Sequence, residues 1–118
     1  MNKTSRFLNY AKYASAKSTM KQKVGAALAR GSRLTKTACN TPGKPRLIGA
    51  WSRHAEVRAT LNVNAENATV FVYREHALNK NPLLARPCST CVEWLKFVGV
   101  KEVVYSTAEY PYFEVMIL

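Results

Sequence analysis

The chain has 118 residues, 47% of them hydrophobic, which is enough for one buried core and excludes a disordered chain. Its formal net charge is +11, and all seven of its acidic residues are glutamates. No run of eighteen apolar residues is present, and the N-terminal segment lacks the apolar stretch of a secretory signal, which excludes a membrane span. We therefore expect a single domain, residues 1–118, with no membrane partner.

The positive charge is concentrated in the first half of the chain. Residues 1–55 carry twelve Lys and Arg and no acid, whereas residues 56–118 carry six Lys and Arg against seven Glu. A one-sided distribution of this kind favours binding of phosphate groups, on a nucleotide or along a strand. The alternative is a solvated basic surface that only aids solubility.

The first half of the chain predicts a helix followed by a β-hairpin. Thr4 or Ser5 could cap a helix that runs to about Ser18. Two strands, 24–30 and 33–39, follow around the turn signal Gly31-Ser32. The next segment, 40–52, contains two prolines and two glycines and is therefore expected to be a loop.

The second half predicts two helices and three strands. Ser52 is a candidate N-cap for the first of these helices, and Gly99 is the expected stop of the second. The predicted elements are a helix at 53–63, a strand at 68–74, a loop at 77–87, a helix at 88–98 and strands at 101–107 and 112–118.

This order predicts an α/β fold with a mixed five-stranded sheet and helices packed on both faces. About five residues, 108–112, separate the last two strands. Because a parallel crossover needs a dozen or more residues, the last strand should run antiparallel to the one before it.

Two short motifs combine metal-binding side chains with a carboxylate. The first is His54-Ala55-Glu56, and the second is Pro87-Cys88-Ser89-Thr90-Cys91. Residues three apart at a helix start share one face, so both thiols can point at one ion, and His54 begins the other helix in the same way. Three N and S ligands with an open fourth position are typical of a catalytic zinc site.

Glu56 is placed to move protons beside that ion. It lies in the same first turn as His54, near the metal but free of it. A carboxylate there can take a proton from a polarised water and pass it to a leaving amine, without a redox cofactor. There are two alternatives to a catalytic zinc site. One is a closed structural zinc site, with Cys39 or His76 as the fourth ligand, and the other is that Cys88 and Cys91 bind no metal and only pack.

The motifs together resemble the zinc-dependent cytidine and deoxycytidylate deaminase superfamily, in which H-x-E is followed by P-C-x-x-C. Residues 24–40 resemble the first hairpin of that family, which leads to a substrate-loop asparagine, and residues 86–107 resemble the helix and strand that follow the thiols. The resemblance covers about residues 7–107. It implies the three-layer cytidine-deaminase-like fold and also suggests a small, phage-type relative.

Residue roles are carried over from this resemblance position by position. It implies that His54, Cys88 and Cys91 bind Zn²⁺ and that Glu56 is the general acid/base. It further implies that a cytosine ring is hydrolysed to uracil with release of ammonia. The resemblance also implies substrate contacts by the Ala55 backbone and Asn40, and Trp51, Pro87 and Tyr110 are further candidate substrate contacts. For Asn40 the alternative is an ordinary turn residue before Thr41-Pro42.

Three substrate classes remain open. The short final connection resembles that of the free-nucleoside deaminases, and it argues against polynucleotide deaminases, which reach a parallel last strand through an extra helix. The positive charge instead favours a phosphate, and Lys44, Arg46 and Arg53 are the candidate phosphate-binding residues. Trp51, Tyr110 and Tyr112 could stack bases of a strand or could simply pack in loops.

We conclude from the sequence that a small cytosine nucleoside or nucleotide, such as cytidine, deoxycytidine or dCMP, is the substrate. The alternatives are a deaminase of single-stranded DNA or RNA and a catalytically silent nucleic-acid-binding relative. The resemblance implies a homo-oligomer. Three cysteines, an odd number with two in a C-x-x-C pair, favour reduced thiols and a cytoplasmic location.

Overall fold

The computed structural model describes residues 2–42 and 54–118. Its helices and strands alternate along the chain much as the sequence predicts. They are α1 (Lys3–Ser15), β1 (Val24–Arg30), β2 (Arg33–Cys39), α2 (Ala55–Thr60), β3 (Thr69–Glu75), β4 (Pro82–Leu83), α3 (Ser89–Phe97), β5 (Glu102–Ser106) and β6 (Phe113–Ile117).

The five predicted strands form one mixed sheet in the order β2-β1-β3-β5-β6. β1 pairs antiparallel with both β2 and β3, and β3 pairs parallel with β5. β6 pairs antiparallel with β5, with Val104 opposite Val115, which confirms the predicted direction of the last strand.

Helices cover both faces of this sheet, so the predicted three-layer arrangement is confirmed. Side chains of β1 alternate between the faces, with Ala27 packing in the cluster that contains Phe7 of α1, and Ala26 and Leu28 packing in the cluster that contains Leu95 of α3. α2 lies on the same face as α3, and the Trp94 indole N–H donates to the Thr60 hydroxyl (2.8 Å), which joins the two helices.

One predicted loop and several predicted helix boundaries were wrong. The 77–87 loop contains β4, a sixth strand of two residues that pairs with the end of β3. α1 is capped by Asn2, whose side-chain oxygen accepts from the Ser5 N–H (2.8 Å), so Thr4 and Ser5 lie inside the first turn. α1 also ends at Ser15 rather than near Ser18.

The second and third helices are shorter than predicted, and each begins one residue after a side chain that the sequence predicts to be a metal ligand. His54 is the N-cap of α2, and Cys88 is the N-cap of α3, both with extended backbone. α2 also ends three residues early, at Thr60. Gly99 follows α3 with φ +91°, as expected for a helix stop. The predicted cap Ser52 lies outside the described residues.

Among the described residues, the longest helix is too short and too polar to span a bilayer.

Candidate metal centre

The starts of α2 and α3 meet on one face of the sheet and bring three ligand-type side chains together. His54 Nδ1 lies 3.0 Å from Cys91 Sγ and 3.9 Å from Cys88 Sγ, and the two sulfurs are 3.3 Å apart. Neither cysteine is in a disulfide. The N-cap conformation of His54 and Cys88 points both side chains toward the same point, and Cys91 joins them from the first turn of α3.

This donor set fits a zinc ion. Zinc ligands lie about 2.0–2.3 Å from the metal, which at tetrahedral angles puts the donor atoms about 3.3–3.8 Å from one another. The observed separations of 3.0, 3.3 and 3.9 Å lie within about 0.3 Å of that range, and the imidazole and two thiols are the donor types that zinc prefers. Cys91 is fully buried and Cys88 is exposed, so the cluster closes on one side and opens toward the cleft on the other.

A closed structural site has no support within residues 2–42 and 54–118. Cys39 and His76 are not part of the cluster. His76 Nδ1 instead accepts from the Leu78 N–H at 3.1 Å and faces its own turn. The cluster therefore offers three protein ligands, which is the number found in catalytic zinc sites.

Glu56 lies directly beside the three ligands. Its Oε1 is 3.6 Å from Cys91 Sγ and 3.9 Å from His54 Nδ1, and the residue is 5% exposed. Burial raises the pKa of Glu56 above the usual carboxyl range, although His54 and hydrogen bonds from its own backbone and from Cys91 oppose the shift. A carboxyl group with a raised pKa is suited to both accepting and donating a proton near neutral pH.

The thiol beside it is also perturbed. Burial raises the pKa of Cys91, and the carboxylate of Glu56 raises it further. Without a cation this thiol therefore keeps its proton. A divalent ion in the cluster would replace that proton and neutralise the negative charge that Cys91 and Glu56 bring together.

A cleft of about 540 Å³ opens beside the cluster. Three of the five substrate contacts predicted from the sequence, Asn40, Ala55 and Pro87, line this cleft. The volume lies in the range of small-ligand sites. The structure thus brings the predicted ligands, the predicted proton carrier and much of the predicted substrate pocket to one place.

Asn40 is fixed by the backbone around it rather than left as a simple turn residue. Its side-chain oxygen accepts from the Val24 N–H (2.9 Å), and its side-chain NH₂ donates to the Gln22 carbonyl (2.7 Å). Each group keeps one further bonding direction, because an amide oxygen has two lone pairs and its NH₂ two hydrogens. Asn40 therefore holds the start of β1 and also lines the cleft.

The other predicted contacts are placed differently. Tyr110 lies in the β5–β6 turn, is 85% exposed and does not line the cleft, so its role stays a prediction. Trp51 and the candidate phosphate-binding residues Lys44, Arg46 and Arg53 lie outside the described residues.

Sequence reasoning missed three cations that line the cleft, namely Lys21, Arg74 and Arg86. A signal for two of them was available. Arg74 is the last residue of the predicted strand 68–74, and Arg86 directly precedes Pro87-Cys88, so both lie at the sheet edge where the third helix begins. Because these cations fall in no recognised motif, the sequence favoured Lys44, Arg46 and Arg53 as the phosphate-binding residues.

Comparison with known proteins identifies relatives along most of the chain. The family model described as the cytidine and deoxycytidylate deaminase zinc-binding region matches residues 1–107. The deoxycytidylate deaminase of Schizosaccharomyces pombe is 36% identical over 116 residues, covering 86% of this chain. The match spans 36% of that relative, so this chain corresponds to about a third of its length.

Solved structures share the fold at lower identity. A cytidine deaminase from Burkholderia pseudomallei superposes with a TM-score of 0.70 at 21% identity, over 96% of this chain and 91% of that one. A dCMP deaminase from the cyanophage S-TIM5 superposes with a TM-score of 0.63 at 22% identity, over 88% of this chain and 82% of that one.

Proposed function

The chain belongs to the family of the cytidine and deoxycytidylate deaminase zinc-binding region, and we propose on that premise that it is a zinc-dependent hydrolytic deaminase. The reaction converts a cytosine base and water into uracil and ammonia. The substrate is a small cytosine nucleoside or nucleotide. One observation carries the proposal, namely the buried carboxylate of Glu56 beside three zinc-type ligands at the wall of a ligand-sized cleft.

His54, Cys88 and Cys91 would hold the zinc ion in this proposal. When bound, zinc supplies a Lewis acid that makes water a better nucleophile near neutral pH. The protein holds two of the ligands by the N-cap conformation of two adjacent helices, so their positions depend on how α2 and α3 pack together. The hydrogen bond from Trp94 to Thr60 supports that packing.

Glu56 moves the protons. Its carboxylate is acceptor-only when ionised and takes the proton from the attacking water, then returns a proton to the departing amine. Its position at the start of α2 keeps it within 4 Å of His54 without placing it among the ligands. Its burial shields that exchange from bulk water.

Ala55, Asn40 and Pro87 would orient the base and sugar. Ala55 is 1% exposed, lies between the ligand His54 and the proton carrier Glu56, and lines the cleft. Its backbone would therefore contact the edge of a base bound in the cleft. The free bonding directions of Asn40 suit a sugar hydroxyl.

Two further parts of the proposal concern the assembled protein. We infer self-association, supported by apolar residues of the edge strand β6 that face solvent, since Val115 is 49% and Ile117 74% exposed. We also infer a reducing, cytoplasmic compartment, because the ligand thiols must be reduced to bind zinc, and all three cysteines are free.

The test is ammonia release from cytidine, deoxycytidine and dCMP by wild type and by Glu56→Gln, with adenosine as a negative substrate. We expect turnover by wild type and a rate at least about a hundredfold lower for the variant, because the amide keeps the shape but cannot carry the proton. Zinc content and melting temperature serve as controls and should be similar in both proteins. Equal rates would contradict the role given to Glu56, and a wild type that releases no ammonia from any cytosine compound would contradict the proposed function.

A further inference from the structure

We propose that a basic surface at the β2 edge of the sheet, separate from the catalytic cleft, binds a single strand of nucleic acid through its phosphates. We call it the β2 surface. It is formed by α1, the β1–β2 hairpin and α2, and its cations are Arg6, Lys17, Arg30, Arg33, Lys36 and Arg58. This inference goes beyond the proposed deaminase function and does not depend on it.

The fold separates positive and negative charge between the two edges of the sheet. β2 forms one edge and β6 the other, with three strands between them, so the edges are about 19 Å apart at the usual strand spacing. α1, β1 and β2 contain no acidic residue. Apart from the buried Glu56, the acidic residues belong to β3, α3, β5, β6 and the segments next to them, namely Glu66, Glu75, Glu93, Glu102, Glu109 and Glu114.

Two grooves follow β2 along this edge. A groove of about 560 Å³ lies at the hairpin end and is lined by Arg30 and Arg33. A second groove, of about 370 Å³, lies toward the other end of β2 and is lined by Lys17, Lys36 and Arg58. No carboxylate is among the described residues that line either groove. The seven residues of β2 extend over about 23 Å, which is long enough for several nucleotides of a strand.

Backbone carbonyls hold two of the cations in place without neutralising them. Lys36 Nζ donates to the Leu61 carbonyl (2.8 Å) at the end of α2, and Arg6 Nη2 donates to the Ser32 carbonyl (3.4 Å) in the hairpin turn. Among residues 2–42 and 54–118, no carboxylate forms an ion pair with a cation of the β2 surface. The charge of this surface is therefore available to an external anion.

Two features of the β2 surface cost free energy as long as no anion is bound. Arg30 and Arg33 are direct partners in the β1–β2 register, and like charges in opposed positions are destabilising. Arg58 Nε is buried and has no hydrogen-bond partner among the described residues, which is costly for a charged group. Phosphates of a strand lying in the two grooves would compensate the charge at both places.

An exposed aromatic ring lies beside the cations on α1. Tyr13 is 66% exposed, and it lies seven residues after Arg6 and four before Lys17, so the three share one side of the helix. A base of any type can stack on such a ring while its phosphates contact the neighbouring cations. This combination favours a nucleic acid over a polyanion that has no bases.

The same surface is poorly suited to a lipid bilayer. Binding at a bilayer surface uses apolar side chains that enter the headgroup region. Leu34 is the exposed aliphatic side chain at the two grooves, and it is only 37% exposed. The more exposed aliphatic side chains and the exposed Phe ring of the described residues lie in other parts of the molecule, namely Leu78, Leu84, Phe97, Val115 and Ile117.

The experiment measures binding of a fluorescent oligo-dT strand of about fifteen nucleotides to the zinc-loaded protein, by anisotropy at several salt concentrations. The strand contains no cytosine, so its binding requires no deamination. We expect the logarithm of the binding constant to fall with the logarithm of salt concentration with a slope of about −3, as about four phosphate contacts predict. Combined Arg33→Gln and Lys36→Gln should weaken binding about tenfold to thirtyfold at about 0.1 M salt and make the slope shallower by about 1.4.

The matched control is combined Lys96→Gln and Lys101→Gln, which removes the same charge from exposed positions outside the β2 surface. It should bind the strand within about twofold of wild type. Combined Arg30→Gln and Arg33→Gln keeps the contact between Lys36 and Leu61, and it should weaken binding like the first variant. Wild type that does not bind the strand, or equal weakening by the control and the two test variants at wild-type melting temperature, would overturn the proposal.

Tyr13 separates a nucleic acid from other partners. Tyr13→Ala should weaken oligo-dT binding about fivefold or more, and Tyr13→Phe should keep it, because the stacking ring remains. Tighter binding to vesicles of phosphatidylserine than to the strand would contradict the choice of a nucleic acid. A loss of self-association in the Arg33 and Lys36 variant, without a change in strand binding, would instead assign the β2 surface to contact with another copy of the chain.

Ammonia release separates this inference from the proposed function. The Arg33 and Lys36 variant should release ammonia from dCMP at the wild-type rate, because neither residue lines the catalytic cleft. If wild type binds the strand but deaminates no cytosine compound, the β2 surface holds and the proposed function is wrong. If wild type deaminates but does not bind oligo-dT, the function holds and the β2 surface is wrong.

Discussion

At the scale of single residues, short spacing made the metal ligands and the proton carrier recognisable. Cys88 and Cys91 are three apart, so a helix start places them on one face wherever the helix lies. His54 and Glu56 are two apart, and the N-cap position of His54 brings its Nδ1 within 3.9 Å of Glu56 Oε1. Arg74 and Arg86 line one cleft because β3, β4 and β5 are joined at Ser106, a tertiary arrangement that no local pattern encodes. The sequence places both arginines near the predicted helix start, but it does not show that they share a cleft.

Tyr73 gives a residue-scale prediction about pH. Burial, with help from the nearby Glu75 carboxylate, raises the pKa of Tyr73 to about 12. The folded protein therefore keeps this proton between about pH 10 and pH 12, whereas the unfolded chain loses it. The contribution of Tyr73 to the free energy of unfolding is complete below pH 10 and is lost as the pH rises from about 10 to about 12. The loss is up to about 2 kcal/mol.

Urea unfolding at pH 9 and at pH 11.5 measures this effect. Tyr73→Phe should lose less stability between the two pH values than wild type does. The variant should still lose some stability between the two pH values, because a hydrogen bond to Glu114 (2.6 Å) raises the pKa of Tyr105 as well. We call this change of stability with pH the slope. Tyr13→Phe, at a ring that is 66% exposed, should keep the wild-type slope. An unchanged slope in Tyr73→Phe would contradict the account.

At the scale of elements, hydrophobic periodicity and turn signals located the helices and strands but not their exact ends. The hairpin β1–β2 was predicted with its observed bounds, because the turn signal Gly31-Ser32 separates an apolar segment from an alternating one. The structure gives Gly31 the positive φ, +62°, that such a turn requires. The ends of α1 and α2 were misplaced, because capping depends on backbone angles at Asn2 and His54 that the composition does not reveal. β4 was missed because two residues carry no periodicity.

The packing of α1 against β1 supports a prediction at this scale. A Cβ at Gly25 would overlap the Ala11 carbonyl oxygen and the Ser15 backbone nitrogen, so the helix lies directly on this glycine. Gly25→Ala should therefore force α1 away from the sheet and lower the free energy of unfolding by at least about 2 kcal/mol. Chemical denaturation measures the change.

The control for that variant is a glycine with open space around it. Gly31 has no atom within 4 Å of the position its Cβ would take, but its φ is positive. Gly31→Asn should cost less than about 1 kcal/mol, because asparagine tolerates this backbone region. If Gly25→Ala cost no more than Gly31→Asn, the close contact between α1 and β1 would not exist as described.

At the scale of the whole molecule, the sequence constrained the topology of the sheet more than it constrained the identity of the substrate. The short connection before β6, predicted as about five residues and six in the structure, forced an antiparallel last strand, and the order of elements required helices on both faces. The net charge of +11 indicated only that the protein binds phosphate groups, and it did not predict where on the protein they bind. Folding adds the missing information by bringing cations from three segments, two of them in the acid-containing half, to the cleft.

The central claim is that deamination depends on zinc held by His54, Cys88 and Cys91. The most direct measurement is the rate of ammonia release against zinc content per chain, during removal of the metal by a chelator and its restoration. We expect about one zinc per active chain, a rate proportional to bound zinc, and loss of both in Cys88→Ala but not in Cys39→Ala, whose thiol lies outside the cluster. Full activity in zinc-free wild type, or in Cys88→Ala, would contradict the account.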